Sequence, residues 1–208
     1  MKNKQILITS GACLIPSVFG VLIYNRLPAK LPIHWNFSGQ IDSYGNKAIV
    51  VFGLPVLMCL IQAFMMFMLL NDPKGRSHSN KMIKVVSWII PGLTIIIEAI
   101  TFAVAFGYHI SINFVIPLLI GIIFIILGNY LPKCRQNYMI GYRLPWTLNN
   151  RENWNRTNRL AGYIMVIGGL ITIIASFFNV AFYALLVVVL VLVVVPFIYS
   201  FLIYRSGL

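Results

Sequence analysis

Within the long apolar runs of this chain, one side chain can carry a negative charge: Glu98, set in Thr94-Ile95-Ile96-Ile97-Glu98-Ala99-Ile100-Thr101. A charged group at bilayer depth costs at least ~2.5 kcal/mol, so this carboxyl must face protein or water and is a candidate for proton or solute handling. Desolvation favours its neutral form. Two readings stand: a working carboxyl, or a neutral one hydrogen-bonded to a neighbouring helix.

A second set of chemistry-bearing residues lies between Asn25 and Lys47. The run from Leu31 through Pro32 and His34 to Asn36 reads as extended, since residues before proline avoid the helical region. The surroundings of Gly39 and Gly45 read as turns. His34, Asp42 and the distant His109 are metal-ligand types, but their spacing matches no metal site, so no metal is expected. A hydrogen-bonded His34 at the membrane interface fits better. Trp35 and Tyr44 suit the aromatic belt of the outer surface.

The third set is a basic island between two apolar runs. From Pro132 to Arg159 it holds Lys133, Arg135, Arg143, Arg151, Arg156 and Arg159 against one acid, Glu152. A turn is expected at Gly141, and Arg143-Leu144-Pro145-Trp146 is expected to be extended. Asn149 can cap a helix with Glu152 three residues on. That helix would start at Asn150, carry Trp154 and Asn158 on one face, and run directly into the next apolar span. Anchoring accounts for the arginines and tryptophans, which would sit at the headgroups. It leaves Asn129, Asn137, Asn149, Asn150, Asn153, Asn155 and Asn158 unexplained, since amides offer paired donors and acceptors rather than charge. A docking surface or a gate is the other reading.

No paired-carboxylate motif for magnesium chemistry, zinc-binding helix or nucleophile elbow is present, so neither enzyme activity nor a cofactor is expected.

The elements that must position these groups follow from composition. Of 208 residues, 60% are hydrophobic and only 10% charged, where a soluble domain would carry about 25% charge. Apolar runs long enough to cross a bilayer are continuous rather than alternating, which predicts helices. The fold class is therefore all-α: a polytopic bundle of six spans, about Ile6–Tyr24, Ala48–Leu70, Val85–Tyr108, Phe114–Leu131, Leu160–Phe178 and Ala181–Tyr204. The last two form a tight hairpin around Asn179. The loops are too short for a core of their own, so residues 1–208 read as one membrane domain with an outer loop, 25–47, and a cytoplasmic loop, 132–159.

Placing both termini in the cytoplasm puts Lys2, Lys4, Lys74, Arg76, Lys81, Lys84, the six bases of the island and Arg205 inside. That is thirteen of sixteen, with Arg26, Lys30 and Lys47 outside, as the positive-inside rule requires. The same bias explains the net charge of +12 without nucleic acid, and no direct nucleic-acid partner is expected. Cys13 and Cys59 lie in spans and Cys134 in the inner loop, so no disulfide framework is implied.

Five spans contain a proline: Pro16, Pro55, Pro91, Pro117 and Pro196. Either these are ordinary membrane-helix prolines or they bend the bundle around a polar cavity. Tyr24-Asn25-Arg26-Leu27-Pro28 faintly echoes Asn129-Tyr130-Leu131-Pro132, as a three-plus-three inverted repeat would.

Asn129-Tyr130-Leu131-Pro132-Lys133, the run Asn137–Leu148, and Trp154, Thr157, Asn158, Arg159, Ala161 and Gly162 together resemble the SdpI family of bacterial immunity proteins. The family pattern is approximately GN-x-LPK, N-x-x-IG-x-R-x-PWTL, W-x-x-T-x-R-x-x-G. Leu31–Lys47 is similar to the small N-terminal domain of unknown function that accompanies it. Leu144 stands where many members have Thr, and Asn158 where His is frequent.

The resemblance implies a six-span protein that protects its producer from a secreted peptide toxin. In some members it also implies capture of a winged-helix, ArsR-type autorepressor at the membrane. Toxin-binding, repressor-binding or gating roles would then fall to Asn129, Pro132, Asn137, Gly141, Arg143, Pro145, Trp146, Thr147, Trp154 and Arg159. On the outer loop they would fall to Pro32, His34, Trp35, Gly39, Asp42 and Gly45, with Glu98 inside the membrane. A small proton- or solute-coupled transporter is the alternative that Glu98, the prolines and the echo support.

Overall fold

The structure is a computed structural model describing residues 2–74, 80–178 and 180–207. Arg76 and Asn179, on which the loop charge and the hairpin turn were read, lie outside the described residues. Among the described residues, six helices are long and apolar enough to cross a membrane: Lys4–Arg26, Ile49–Leu70, Lys81–Ala105, Ile112–Lys133, Arg151–Ser176 and Ala181–Arg205. The expected count holds. The fifth begins about two turns earlier than its apolar run, because the Asn-capped helix continues without a break into the span, as the sequence implied.

The chain forms two compact units. The first comprises residues up to Leu70 together with Ile83–Ile112; the second comprises Asn71–Met82 and Asn113–Leu208.

In the first unit the spans are interrupted, each near its proline. The first is two helices, α1 (Lys2–Ala12) and α2 (Ile15–Ile23), with Pro16 opening α2, a position where proline is favoured. The second begins with a π-helical turn, Ile49–Gly53, and continues as α3 (Leu54–Leu70) with Pro55 in its first turn. The third is α4 (Asn80–Ser87) and α5 (Ile89–Ala105), parted at Trp88 just before Pro91.

A proline has no N–H for the carbonyl four residues back. Pro55 deprives Val51 O, which accepts instead from Ser17 Oγ at 2.6 Å. Pro91 deprives Ser87 O, which accepts from Gln62 Nε2 at 2.8 Å. Gln62 also donates to Thr9 Oγ1, and Gln5 donates to Ser87 Oγ. Side chains thus restore the bonds that hydrocarbon cannot supply.

The 25–47 loop is a β-hairpin rather than merely extended, the one sheet among the described residues. Strand β1 (Lys30–Trp35) pairs antiparallel with β2 (Ile41–Asn46), Leu31 opposite Gly45 and Trp35 opposite Ile41. Asn36 Oδ1 accepts from the amides of Ser38 and Gln40, and Gly39 takes a φ of 74°, so the turn expected there is present. Gly45 is not in a turn; it lies within β2. A Cβ there would come 2.8 Å from Ile33 Cγ2, so close packing is what its lack of a side chain serves. Leu31, fully buried, joins Leu27, Val50, Val51 and Phe102 in the core that fixes the hairpin to the helices.

In the second unit α6 (Ile112–Tyr130), α8 (Arg151–Ser176) and α9 (Ala181–Arg205) are continuous, with Pro117 and Pro196 inside their helices. α6 and α8 approach closely at two glycine pairs seven residues apart. A Cβ on Gly121 would lie 2.8 Å from Gly169 O, and one on Gly128 would lie 2.8 Å from Gly162 O. Small residues allow such backbone contact between membrane helices.

Candidate functional site

The basic island folds back on α8 and α9 as a hydrogen-bonded knot. After the 3-10 turn Leu131–Lys133, Asn137 supports the next loop with its whole amide. Its Nδ2 donates to Arg135 O and Ile140 O, and its Oδ1 accepts from the amides of Met139 and Ile140. Gly141 turns the chain at φ 118°, as expected, and a Cβ there would meet Asn158 Oδ1 at 2.6 Å. That same oxygen accepts from the amide of Tyr142. Tyr142 then donates its hydroxyl to Leu192 O, the carbonyl that Pro196 deprives.

Two local expectations are corrected. Leu144 is extended, but Pro145 opens a short helix, α7 (Pro145–Asn149), since its fixed φ suits a first helical position. Thr147 completes the cap, accepting from the amide of Leu144 and donating to Tyr142 O. Trp146 is therefore helical, not extended. Its Nε1 donates to Ser200 Oγ at 3.0 Å, and its ring packs on Phe197, Phe201 and Tyr204.

The cap of α8 is Asn150, one residue later than expected, with its side chain accepting from Asn153 N. Asn149 is taken up as the last residue of α7, and Asn150 has the extended φ and ψ a cap requires.

From α8 inward the polar residues are consumed by the fold. Trp154 is 0% exposed and donates from Nε1 to Cys134 O at 2.9 Å. Asn153 Nδ2 reaches Ser200 O, Thr157 donates to Asn153 Oδ1, and Asn158 Nδ2 donates to Trp154 O. Burial pushes the Tyr142 phenol up to about 12 and the Cys134 thiol up to about 11, so both are neutral at pH 7. A neutral phenol keeps the proton that it donates to Leu192.

Of the candidates from Asn129 to Arg159, Asn137, Thr147 and Trp154 are buried; Pro132, Gly141 and Trp146 are half-buried; Asn129, Arg143, Pro145 and Arg159 are exposed. The exposed remainder is basic: Arg135, Arg143, Arg151 and Arg159, with Arg156 paired to Glu152 at 2.6 Å. Such a face can meet anionic headgroups or an acidic surface. Arg143 donates to Tyr138 O, which orients it across the loop.

Asp72 was not singled out from the sequence. It is buried, accepts from the amides of Lys74 and Tyr138, and ties the preceding loop to the island, while Lys74 Nζ donates to Leu148 O and lies over the Tyr138 ring. Its status as the sole acid of the loop between the second and third spans was the available signal. Ser200, the sole hydroxyl-bearing serine in the Val- and Leu-rich last span, was likewise legible.

In the first unit the candidates from Pro32 to Gly45 lie on the hairpin. Pro32 is buried, and His34 Nδ1 lies 2.6 Å from Asp42 Oδ1 in an exposed pair. His109 stands elsewhere, in a cleft of about 570 Å³ between the hairpin and the end of α5, with Trp35, Gly39, Gln40, Tyr44 and Tyr108. Among the described residues no three metal-ligating side chains gather. Glu98 is 0% exposed on α5.

Residues 133–200, most of the knot and its partners on α8 and α9, match the model of the SdpI/YfhL protein family. Residues 11–59, which include the hairpin, match a domain of unknown function, DUF1648. The chain is 31% identical over 177 residues to the immunity protein SdpI of Bacillus subtilis (strain 168), covering 83% of this chain and 81% of that protein. The chain belongs to the SdpI family. No solved structure matches it. As an SdpI-family member with six membrane-crossing helices, it is a multi-pass cell-membrane protein. The SdpI match ends at Ser200, the residue on which Trp146 and Asn153 converge.

Proposed function

We propose that this chain is a non-enzymatic immunity protein, a single membrane body with both termini in the cytoplasm, that protects its cell from a secreted antimicrobial peptide. The relation to the immunity protein SdpI carries this reading. The hairpin cleft supports it from the outer side. It offers aromatic edges of Trp35, Tyr44 and Tyr108 beside the polar Gln40 and His109, a mixture suited to a peptide carrying both apolar side chains and amides. On the inner side, the exposed bases around Arg143 are a surface for a winged-helix repressor, whose recruitment would require the peptide to favour one bundle arrangement over another.

The test is survival. The chain, Trp35→Ala and Tyr108→Ala are expressed at equal membrane levels in peptide-sensitive cells and challenged. The reading expects protection by the native chain and loss of it in both cleft variants. Absence of protection by the native chain against any related peptide would refute the function. Full protection by the variants would move the peptide site elsewhere.

A further inference from the structure

Pro91, Thr94, Glu98 and Thr101 form one buried stripe on α5, at the i, i+3, i+7, i+10 spacing of a single helix face. Thr94 satisfies its hydroxyl on Ile90 O, and Gln62, Thr9, Ser87 and Ser17 all find partners nearby. Glu98 does not. Both carboxyl oxygens are buried, and neither has a hydrogen-bond partner.

α5 packs against α1, α2, α3 and β1. On those elements the described titratable side chains are Lys4 at the start of α1, Cys59 on α3, and exposed Lys30 and His34 on β1, with Cys13 in the turn after α1. The one cation among them on a membrane-crossing helix is Lys4, exposed at the first residue of its span. An ionised carboxylate offers about four acceptor sites, and leaving them empty in a low-dielectric interior costs several kcal/mol or more. A proton is the one cation that needs no further ligands.

We propose that Glu98 is an exchangeable proton-binding site inside the membrane. In this closed arrangement the carboxyl holds its proton, and it exchanges with water when the surrounding helices open locally. Proton occupancy and the closed arrangement therefore favour each other by linkage. This assignment stands independently of the immunity reading.

The test uses the full chain in phosphatidylcholine vesicles and two carbodiimides. Dicyclohexylcarbodiimide partitions into the bilayer and consumes the acid form: the carboxyl proton passes to a carbodiimide nitrogen while the carboxyl oxygen adds to the central carbon. The O-acylisourea rearranges to a stable N-acylurea, read by mass spectrometry. The expected result is an adduct on Glu98 that disappears in Glu98→Gln and fades as the pH is raised. A water-soluble carbodiimide with glycine ethyl ester should leave Glu98 unmodified while labelling Asp42. The proposal fails if dicyclohexylcarbodiimide leaves Glu98 of folded protein untouched, or if the soluble reagent labels Glu98 as readily as Asp42. An adduct formed at an unchanged rate at alkaline pH would equally overturn it, because the proton would then not exchange.

Discussion

Tyr142 donates its phenolic hydrogen to Leu192 O, the oxygen that Pro196, four residues on, cannot serve. A residue of the 132–159 loop thereby completes the backbone of the last span. Tyr142→Phe should lower stability by ~1–3 kcal/mol, the cost of leaving a buried acceptor empty. In a Pro196→Ala background the amide of residue 196 returns, so the same change should cost clearly less. Thermal unfolding in detergent measures the cycle, and equal costs in both backgrounds would contradict it.

Gln62 holds Thr9 and the carbonyl freed by Pro91. Gln62→Leu keeps the volume and removes both donors. Polar contacts within membranes average ~0.6 kcal/mol and reach ~1.7, so a loss of ~1–2 kcal/mol is expected. Gln62→Glu, which can carry one donor when neutral, should fall between Leu and the native residue in the same unfolding assay.

The glycine pairs predict a sharp contrast. Gly162→Ala places a Cβ 2.6 Å from Pro132 Cγ and 2.7 Å from Gly128 O, and should cost ~1–3 kcal/mol through overpacking. Gly92→Ala meets nothing within 4 Å and should be neutral or slightly stabilising, since alanine favours the helix. Comparable losses at both sites would rule out the close helix approach.

Alkaline pH should weaken the fold through Cys134. Its thiol lies at about 11, against 9.0 for the free group, because burial disfavours the thiolate. Between those values the unfolded chain has lost the proton and the folded chain keeps it. The stabilising difference is therefore full below about pH 9 and is lost as pH rises through about 11, on the order of 2 kcal/mol. Tyr142 extends the decline upward, towards about 12. Cys134→Ala should flatten the lower part of the curve; an unchanged slope would contradict the assignment.

The helices were legible because length and hydropathy act locally: roughly 20 apolar residues must cross the bilayer whatever surrounds them. Gly39, Gly141 and the continuous helix from Asn150 into the span were legible for the same reason, each being dictated by its own backbone. The strand pairing was not, because Leu31 opposite Gly45 is a register, and register belongs to two segments at once. The amides divided the same way. Their number marked the island as special, but whether Asn158 points out to a partner or in to Tyr142 N is decided by the fold. Glu98 stood out from sequence alone, yet its lack of any partner is visible only in three dimensions.

The rescued carbonyls share a direction along the chain. Ser17 serves Val51, Gln62 serves Ser87, and Tyr142 serves Leu192, so in each case the donor precedes the carbonyl it completes. Chains are synthesised from the N-terminus at roughly 5–20 residues per second. Each of these three proline-bent spans therefore enters the bilayer when the side chain that will close its open bond has already been made, so none of the three has to wait for a donor still unmade.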